Sequence, residues 1–184
     1  MRSEASFLQG AYGRVAELTQ LVVDNALTPM DRVNTYQIII DSHVAQKQYR
    51  EAVDRGLEIL RALNVKVNSA PSQLSVIQAI VKIKLSLRGR SHQNLLELPQ
   101  VTDPEKIAVQ QLFSVLVMPA FYVCQELSVV LTGLGLQRTL QDGNTIWTAS
   151  FYVTYSTIVT LTGDLEQGYQ VGELALKLSE RFTH

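Results

Sequence analysis

The apolar residues of this chain recur mainly at helical spacing. Between Tyr49 and Leu63, the residues Tyr49, Ala52, Val53, Gly56, Leu57, Leu60 and Leu63 fall on one stripe, and Arg50, Glu51, Asp54, Arg55, Glu58 and Arg61 fall opposite. Glu51 and Arg55, four apart, are expected to pair along the charged face. Just upstream, Thr28-Pro29-Met30-Asp31 supplies a cap, a first-turn proline and an early acid, which starts a helix running to about Ala45. So short a connection makes the two helices antiparallel neighbours, with Val33, Tyr36, Ile39 or Ile40 against the stripe. Val15, Leu18, Leu21, Val22 and Val23 predict an earlier helix over Ala11–Ala26.

Downstream, 65–72 is a connector, and Pro71 opens a helix from about Ser72 to Leu87. That helix has two apolar stripes, Leu74, Ile77 and Val81 on one side and Val76, Ile80, Ile83 and Leu87 on the other, so it should be contacted on two sides. Asn94-Leu95-Leu96 reads as a short turn before Leu98-Pro99. The next helix starts with Thr102 and Glu105 at capping-box spacing, or with Asp103 as cap and Pro104 in the first position, and runs to about Tyr122. Pro119 is expected to kink or end it. A further helix covers Gln125–Leu136, with a break expected at Gly133-Leu134-Gly135, and Asp142-Gly143-Asn144 is turn chemistry.

The run from Phe151 to Val159 is rich in β-branched and aromatic residues, and propensity alone makes it a strand. Its unbroken length, its end at Thr162-Gly163-Asp164 and the absence of a partner strand make it a helix instead, followed by an Asp164-capped helix over Leu165–Phe182. An offset of 116 residues aligns Tyr36 with Tyr152, Ala52 with Gly168, Gly56 with Gly172 and Leu60 with Leu176. Small residues at these places and at Ala175 allow the two helices of a hairpin to approach, as in tetratricopeptide-like repeats. Ile40 and Ile59 are bulkier than that repeat prefers, and the middle section keeps no strict 34-residue period. The expected fold is all-α, an irregular stack of antiparallel helical hairpins forming a single tetratricopeptide-like domain over residues 1–184.

Composition narrows the function classes. The 184 residues include 16 Lys+Arg and 17 Asp+Glu, a formal charge of -1, so no general positive field draws nucleic acid or anionic lipid. One cysteine, Cys124, excludes an internal disulfide framework and fits a reducing compartment. The start, MRSEASF, has no apolar core of a secretory signal, and the expected location is cytoplasmic. Two uncharged stretches, 107–125 and 143–163, approach membrane thickness, but Gln110, Gln111 and Pro119 in the first and eight Ser or Thr in the second favour buried bundle helices.

Searching for chemistry gives little. There is no phosphate-binding Gly-rich loop ending in Lys-Ser/Thr, and His43, His92 and His184 have no metal-ligand spacing. His43 lacks the following acid or asparagine of a phosphoaccepting histidine, and Cys124, beside Phe121, Tyr122 and Val123, reads as a buried structural thiol. Lys82, Lys84, Arg88, Arg90 and His92 form the one basic cluster, a solvated helix end or a contact for an acidic partner or a nucleotide phosphate. No catalytic, cofactor-binding or metal-ligating residue is assigned, and no enzyme activity, nucleic-acid partner or membrane span is expected.

Several strings occur in a fixed order: YREAVDRGLEILRALN from Tyr49 to Asn64, Leu96-Glu97-Leu98-Pro99 then Thr102-Asp103-Pro104, Gly143-Asn144, Gly163-Asp164-Leu165-Glu166-Gln167-Gly168-Tyr169, and Gly172-Glu173-Leu174-Ala175-Leu176. In these the chain resembles the helical region that follows the AAA-type ATPase module in large multidomain sensor serine/threonine and histidine kinases. The resemblance implies a segment of a larger signalling protein, with flanking ATPase, kinase or sensor domains or other proteins as partners. Asn64 stands where that family more often has glycine, which predicts a left-handed asparagine closing the helix.

Two functions remain. One is a non-catalytic protein-interaction or signal-relay scaffold, with Tyr36, Tyr49, Tyr152, Tyr155 and Tyr169 as core or groove aromatics. The other is a small-molecule-sensing helical domain with a pocket near Trp147, lined by the hydroxyl-rich 145–162 stretch.

Overall fold

The computed structural model describes the backbone of residues 29–183 and the side chains of 35–182. Among them are eight helices and no strand: α1 (Pro29–Ala45), α2 (Tyr49–Ala62), α3 (Gln73–Leu87), α4 (His92–Leu96), α5 (Pro104–Val123), α6 (Gln125–Asp142), α7 (Thr148–Leu161) and α8 (Leu165–Thr183). The all-α expectation holds; the helix expected over Ala11–Ala26 lies outside the described residues. The β-branched run is helical because its large side chains keep the helical period. Phe151, Tyr155 and Val159, with Tyr152 beside them, form one buried stripe on α7, and burial of that stripe outweighs a modest intrinsic preference.

Local chemistry explains where the helices start. Ser72 accepts from the Ser75 amide at the head of α3, and Asp103 Oδ1 accepts from Glu105 N at 2.9 Å with Pro104 in the first turn of α5. Asp164 Oδ1 caps α8 through Gln167 N at 3.1 Å. The short α4 replaces the turn read at Asn94: Ser91 and Asn94 cap each other reciprocally, a capping box that uses an amide where the usual signature has Glu or Gln.

Three helix ends share one device. After α1 the Gln48 amide donates to His43 O at 2.8 Å and Lys47 N to Val44 O at 2.9 Å, with Lys47 at φ 60°. After α2 the Val65 amide donates to Leu60 O at 2.8 Å and Asn64 N to Arg61 O at 3.0 Å, with Asn64 at φ 59°, as its place in the sequence predicted. After α7 the Asp164 amide reaches Val159 O and the Gly163 amide reaches Thr160 O, with Gly163 at φ 96°. Each is a paired closure through a left-handed residue that satisfies the last carbonyls and turns the chain sharply. Lys47 and Gly163 are 116 residues apart, so the two hairpins α1/α2 and α7/α8 share their turn as well as their helices.

Packing runs in one direction along the molecule. α2 lies against α1, α5 lies across both, α6 packs along α5, and α7 packs on α6 and carries α8. α3 packs on α6 from the side, and α4 touches α8. The core follows this path from Ile40, Ala52 and Leu60 through Leu112, Phe113 and Leu116 to Leu131, Phe151, Tyr152 and Leu178.

Several sequence expectations are corrected. Pro119 does not end α5: it is buried inside the helix, which continues to Val123, and the break falls at extended Cys124 (φ -160°), which joins α5 directly to α6. Gly133 and Gly135 do not break α6 either. They are contact points on a continuous helix, where Gly133 faces Ala79 and Ile83 of α3 and Gly135 faces the Phe151 ring of α7. α3 is buried on one side only, through Ile83, while Leu74, Ile77, Val81 and Leu85 are exposed. Arg55 pairs with Glu58 at 2.9 Å rather than with Glu51. Gly56 makes room for Leu116 of α5 and not for its own hairpin partner, whereas Gly168 does lie against α7, at Thr160 and Ser156.

The same substitution at two positions 116 residues apart should therefore act differently. Gly56→Ala drives a methyl into Leu116 and is expected to lower stability by about 1–3 kcal/mol, or roughly 2–4 °C of Tm per kcal/mol. At Gly172 the nearest atom to an added methyl is Ser156 Oγ at 3.3 Å, so Gly172→Ala is expected to be neutral or to stabilise by up to about 1 kcal/mol, as glycine leaves a helix interior. Thermal unfolding of both variants checks the pair.

Candidate functional site

The chain passes from α4 to α5 and from α6 to α7 through two loops that meet at Asn144. Asn144 is fully buried. Its side-chain amide donates to Leu95 O at 2.9 Å and Leu96 O at 3.3 Å, its backbone N–H donates to Pro99 O at 2.8 Å, and its carbonyl accepts from Val101 N at 3.0 Å. Gly143, at φ 118°, sits with its α-carbon against the Pro99 carbonyl, where a side chain would collide. Buried Gln110 reaches in from α5, donating to Gly143 O at 3.3 Å and accepting from Thr145 Oγ1 at 2.9 Å. Arg181 of α8 donates to the carbonyls of Leu96 and Leu98. The strings Leu96–Pro99 and Gly143-Asn144 are thus two sides of one structural junction.

That junction also bears on the uncharged stretches. α5 is the one described helix long and apolar enough to cross a membrane, with a mean hydropathy of 1.4 over its window. Half of that window is buried, and its glutamines are engaged: Gln110 as above, and Gln111 with Gln37 of α1. The second stretch yields a helix of only 14 residues.

Among the described residues, three of the cavities are lined in part by polar groups. One of about 240 Å³ lies between the start of α5 and the end of α6, lined by Leu63, Val65, Lys106, Arg138 and Asp142. There Lys106 pairs with Asp142 at 2.8 Å, and that carboxylate holds the lysine pKa above its ordinary value. A second, of about 180 Å³, is lined by Arg90, His92, Tyr152, Gln167 and Gln170. Tyr152 is fully buried and its hydroxyl has no hydrogen-bond partner among the described residues; burial pushes its pKa well up, against a small opposing effect of Arg90. The third, of about 580 Å³, is an open groove between α7 and α8.

The other residues singled out in the sequence fall apart from one another. Trp147 is half-buried at the head of α7 and lines none of these three cavities. The hydroxyls around it are largely engaged with the backbone: Ser150 donates to Trp147 O, Thr154 to Ser150 O and Thr157 to Val153 O. Ser156 donates across the hairpin to Gly168 O at 2.6 Å. His43 is half-exposed and bonds Gln48 at 2.9 Å, while His184 lies outside the described residues. Cys124 is not buried as expected; it is half-exposed at the α5–α6 corner, its thiol donating to Glu126 at 3.5 Å. Of the tyrosines, Tyr152 and Tyr155 are core, Tyr169 is exposed, and Tyr49 stacks on Tyr122 of α5 with ring centroids 4.5 Å apart. No group of three or more potential metal ligands occurs among the described residues. Sequence reasoning missed the Tyr152 cavity and the groove, because both are made by residues from elements far apart or from a face whose covering helix no periodicity reveals.

Removing the Asn144 amide takes its donor from the buried Leu95 carbonyl and leaves the Leu96 carbonyl to Arg181 alone, so Asn144→Ala is expected to lower stability by about 1–3 kcal/mol. Asn144→Asp, which turns a carboxylate toward the same carbonyls, should cost more. Tyr152→Phe deletes an unpartnered buried hydroxyl and should leave Tm unchanged or raise it. Chemical denaturation of the three variants measures the order.

A scan against protein-family models, a search of curated proteins and a search of solved structures found no match to this chain.

Proposed function

We propose that the chain is a non-catalytic protein-interaction or signal-relay scaffold, a tetratricopeptide-like stack comparable with the helical connector of multidomain ATPase and sensor kinases. The observation that carries this reading is the pairing of a well-ordered core with two exposed apolar helix faces. One is Leu74, Ile77, Val81 and Leu85 on α3, flanked by Lys82 and Lys84; the other is Leu165, Tyr169 and Leu176 on α8. Contiguous exposed apolar surface of this kind marks contact with other protein. The repeat supports the same reading: α1 and α7 end, the hairpins turn, α2 and α8 start and small residues fall at positions 116 apart, as in members of a helical array.

A small-molecule reading also has one observation in its favour, at a different place from Trp147. The 180 Å³ cavity brings the unpartnered Tyr152 hydroxyl near Arg90, His92 and two glutamines, a set suited to a small polar anion. Its size and the lack of a second convergent buried group make it the weaker of the two.

Photo-crosslinking tests the scaffold. With p-benzoylphenylalanine in place of Ile77 or of Leu176 in the native polypeptide, expressed in its own cells, ultraviolet light is expected to give covalent adducts to a flanking domain or to a second protein. Adducts at neither position would overturn the reading.

A further inference from the structure

The groove between α7 and α8 has a counterpart inside the same molecule. The residues that line it include Ser156, Gly168, Tyr169, Glu173 and Leu176. Counted back by 116, these are Ile40, Ala52, Val53, Leu57 and Leu60, and all five are buried core. What differs is the occupant. Over the first hairpin lies α5, which seats Leu116 against Gly56 and Tyr122 on Tyr49. Over the second, Gly172 and Leu165 hold the equivalent positions, and Leu165, Tyr169 and Leu176 are 69%, 66% and 62% exposed where Leu60 is 0% exposed.

We propose that this groove receives an amphipathic helix of a partner protein in the position α5 takes over α1/α2, with a leucine-sized side chain over Gly172, a second apolar side chain on Leu165, and a lysine or arginine facing Glu173. This rests on the interaction reading above and names the partner's chemistry. A helix is the fitting occupant because the groove repeats a frame that a helix fills 116 residues earlier. The cation follows from two differences between the frames: Glu173 stands where the first hairpin has Leu57, and Glu166 lies on the same helix. Tyr169 donates to Glu173 at 3.2 Å and keeps that carboxylate at the groove wall. A second copy cannot supply its own α5, which is buried across α1 and α2 in its own stack.

The probe is the chain's own groove-filling helix. A fluorescein-labelled synthetic peptide of residues 104–123, with exposed Met118 and Phe121 replaced by lysine, is titrated with the full chain and followed by anisotropy. Saturable binding is expected, weakened by about tenfold or more when Gly172→Leu fills the groove, when Leu176→Glu charges its rim, or when the peptide carries Leu116→Ala. Leu176 is exposed, so Leu176→Glu reads the groove even if Gly172→Leu does not fold. No saturable binding, or binding untouched by Leu176→Glu, overturns the proposal. So does concentration-dependent self-association of the unlabelled chain in sedimentation that Leu176→Glu abolishes, since it assigns the groove to a second copy. Crosslinks formed through Ile77 would leave the scaffold reading standing in either case.

Discussion

A helical hairpin can bury only one of its faces within itself, and the architecture of this protein follows from where the other face goes. α1 and α2 pack on each other, and the remaining face of the pair is covered by α5, with Ile40, Ala52 and Leu60 in the core the three helices share. Glycine sets the depth of that contact. Gly56 admits Leu116 to a position that any side chain would occupy, so α5 lies close enough for Tyr122 to stack on Tyr49 at the far end. The same logic recurs in α6, where Gly133 and Gly135 admit α3 on one side and Phe151 of α7 on another. On α7/α8 the face that corresponds to the one α5 covers in the first hairpin is exposed, at Leu165, Tyr169 and Leu176.

Apolar packing alone does not orient α7/α8 on the rest. The loops around Asn144 do so with hydrogen bonds that have little freedom, since a buried amide must find its partners in one geometry. Asn144 ties Leu95 and Leu96 to the end of α6, Gln110 ties the same corner to the second turn of α5, and Arg181 of α8 reaches the carbonyls of Leu96 and Leu98. Four elements distant in the chain are thereby held by polar groups whose loss would cost more than any surface ion pair, such as Arg55–Glu58, contributes.

For function, the important contrast is between what is satisfied and what is not. The hydroxyls of α7, which looked in the sequence like a lining for a ligand, largely donate to backbone carbonyls of α7 and α8. The apolar faces of α3 and α8 have no such local outlet. Tyr152 is one of several buried polar groups without a hydrogen-bond partner among the described residues, with Thr139, Tyr155 and Oδ1 of Asn144, and it is the one of these that lines the small cavity with Arg90 and His92.

The sequence by itself determined the helices: their caps at Asp103 and Asp164, the helical nature of the β-branched run and the kinship of the two hairpins were legible, because each is a local or periodic property of the chain. Only the tertiary structure decided what each face touches. Gly56 reads the same in sequence whether it meets α1 or α5, Pro119 reads as a helix end until the core around it holds the last turn, and Leu176 aligns with Leu60 although one is exposed and the other buried. Periodicity states that a face is apolar, but the residues that cover it come from distant parts of the chain, and their arrival is settled by close packing of whole helices.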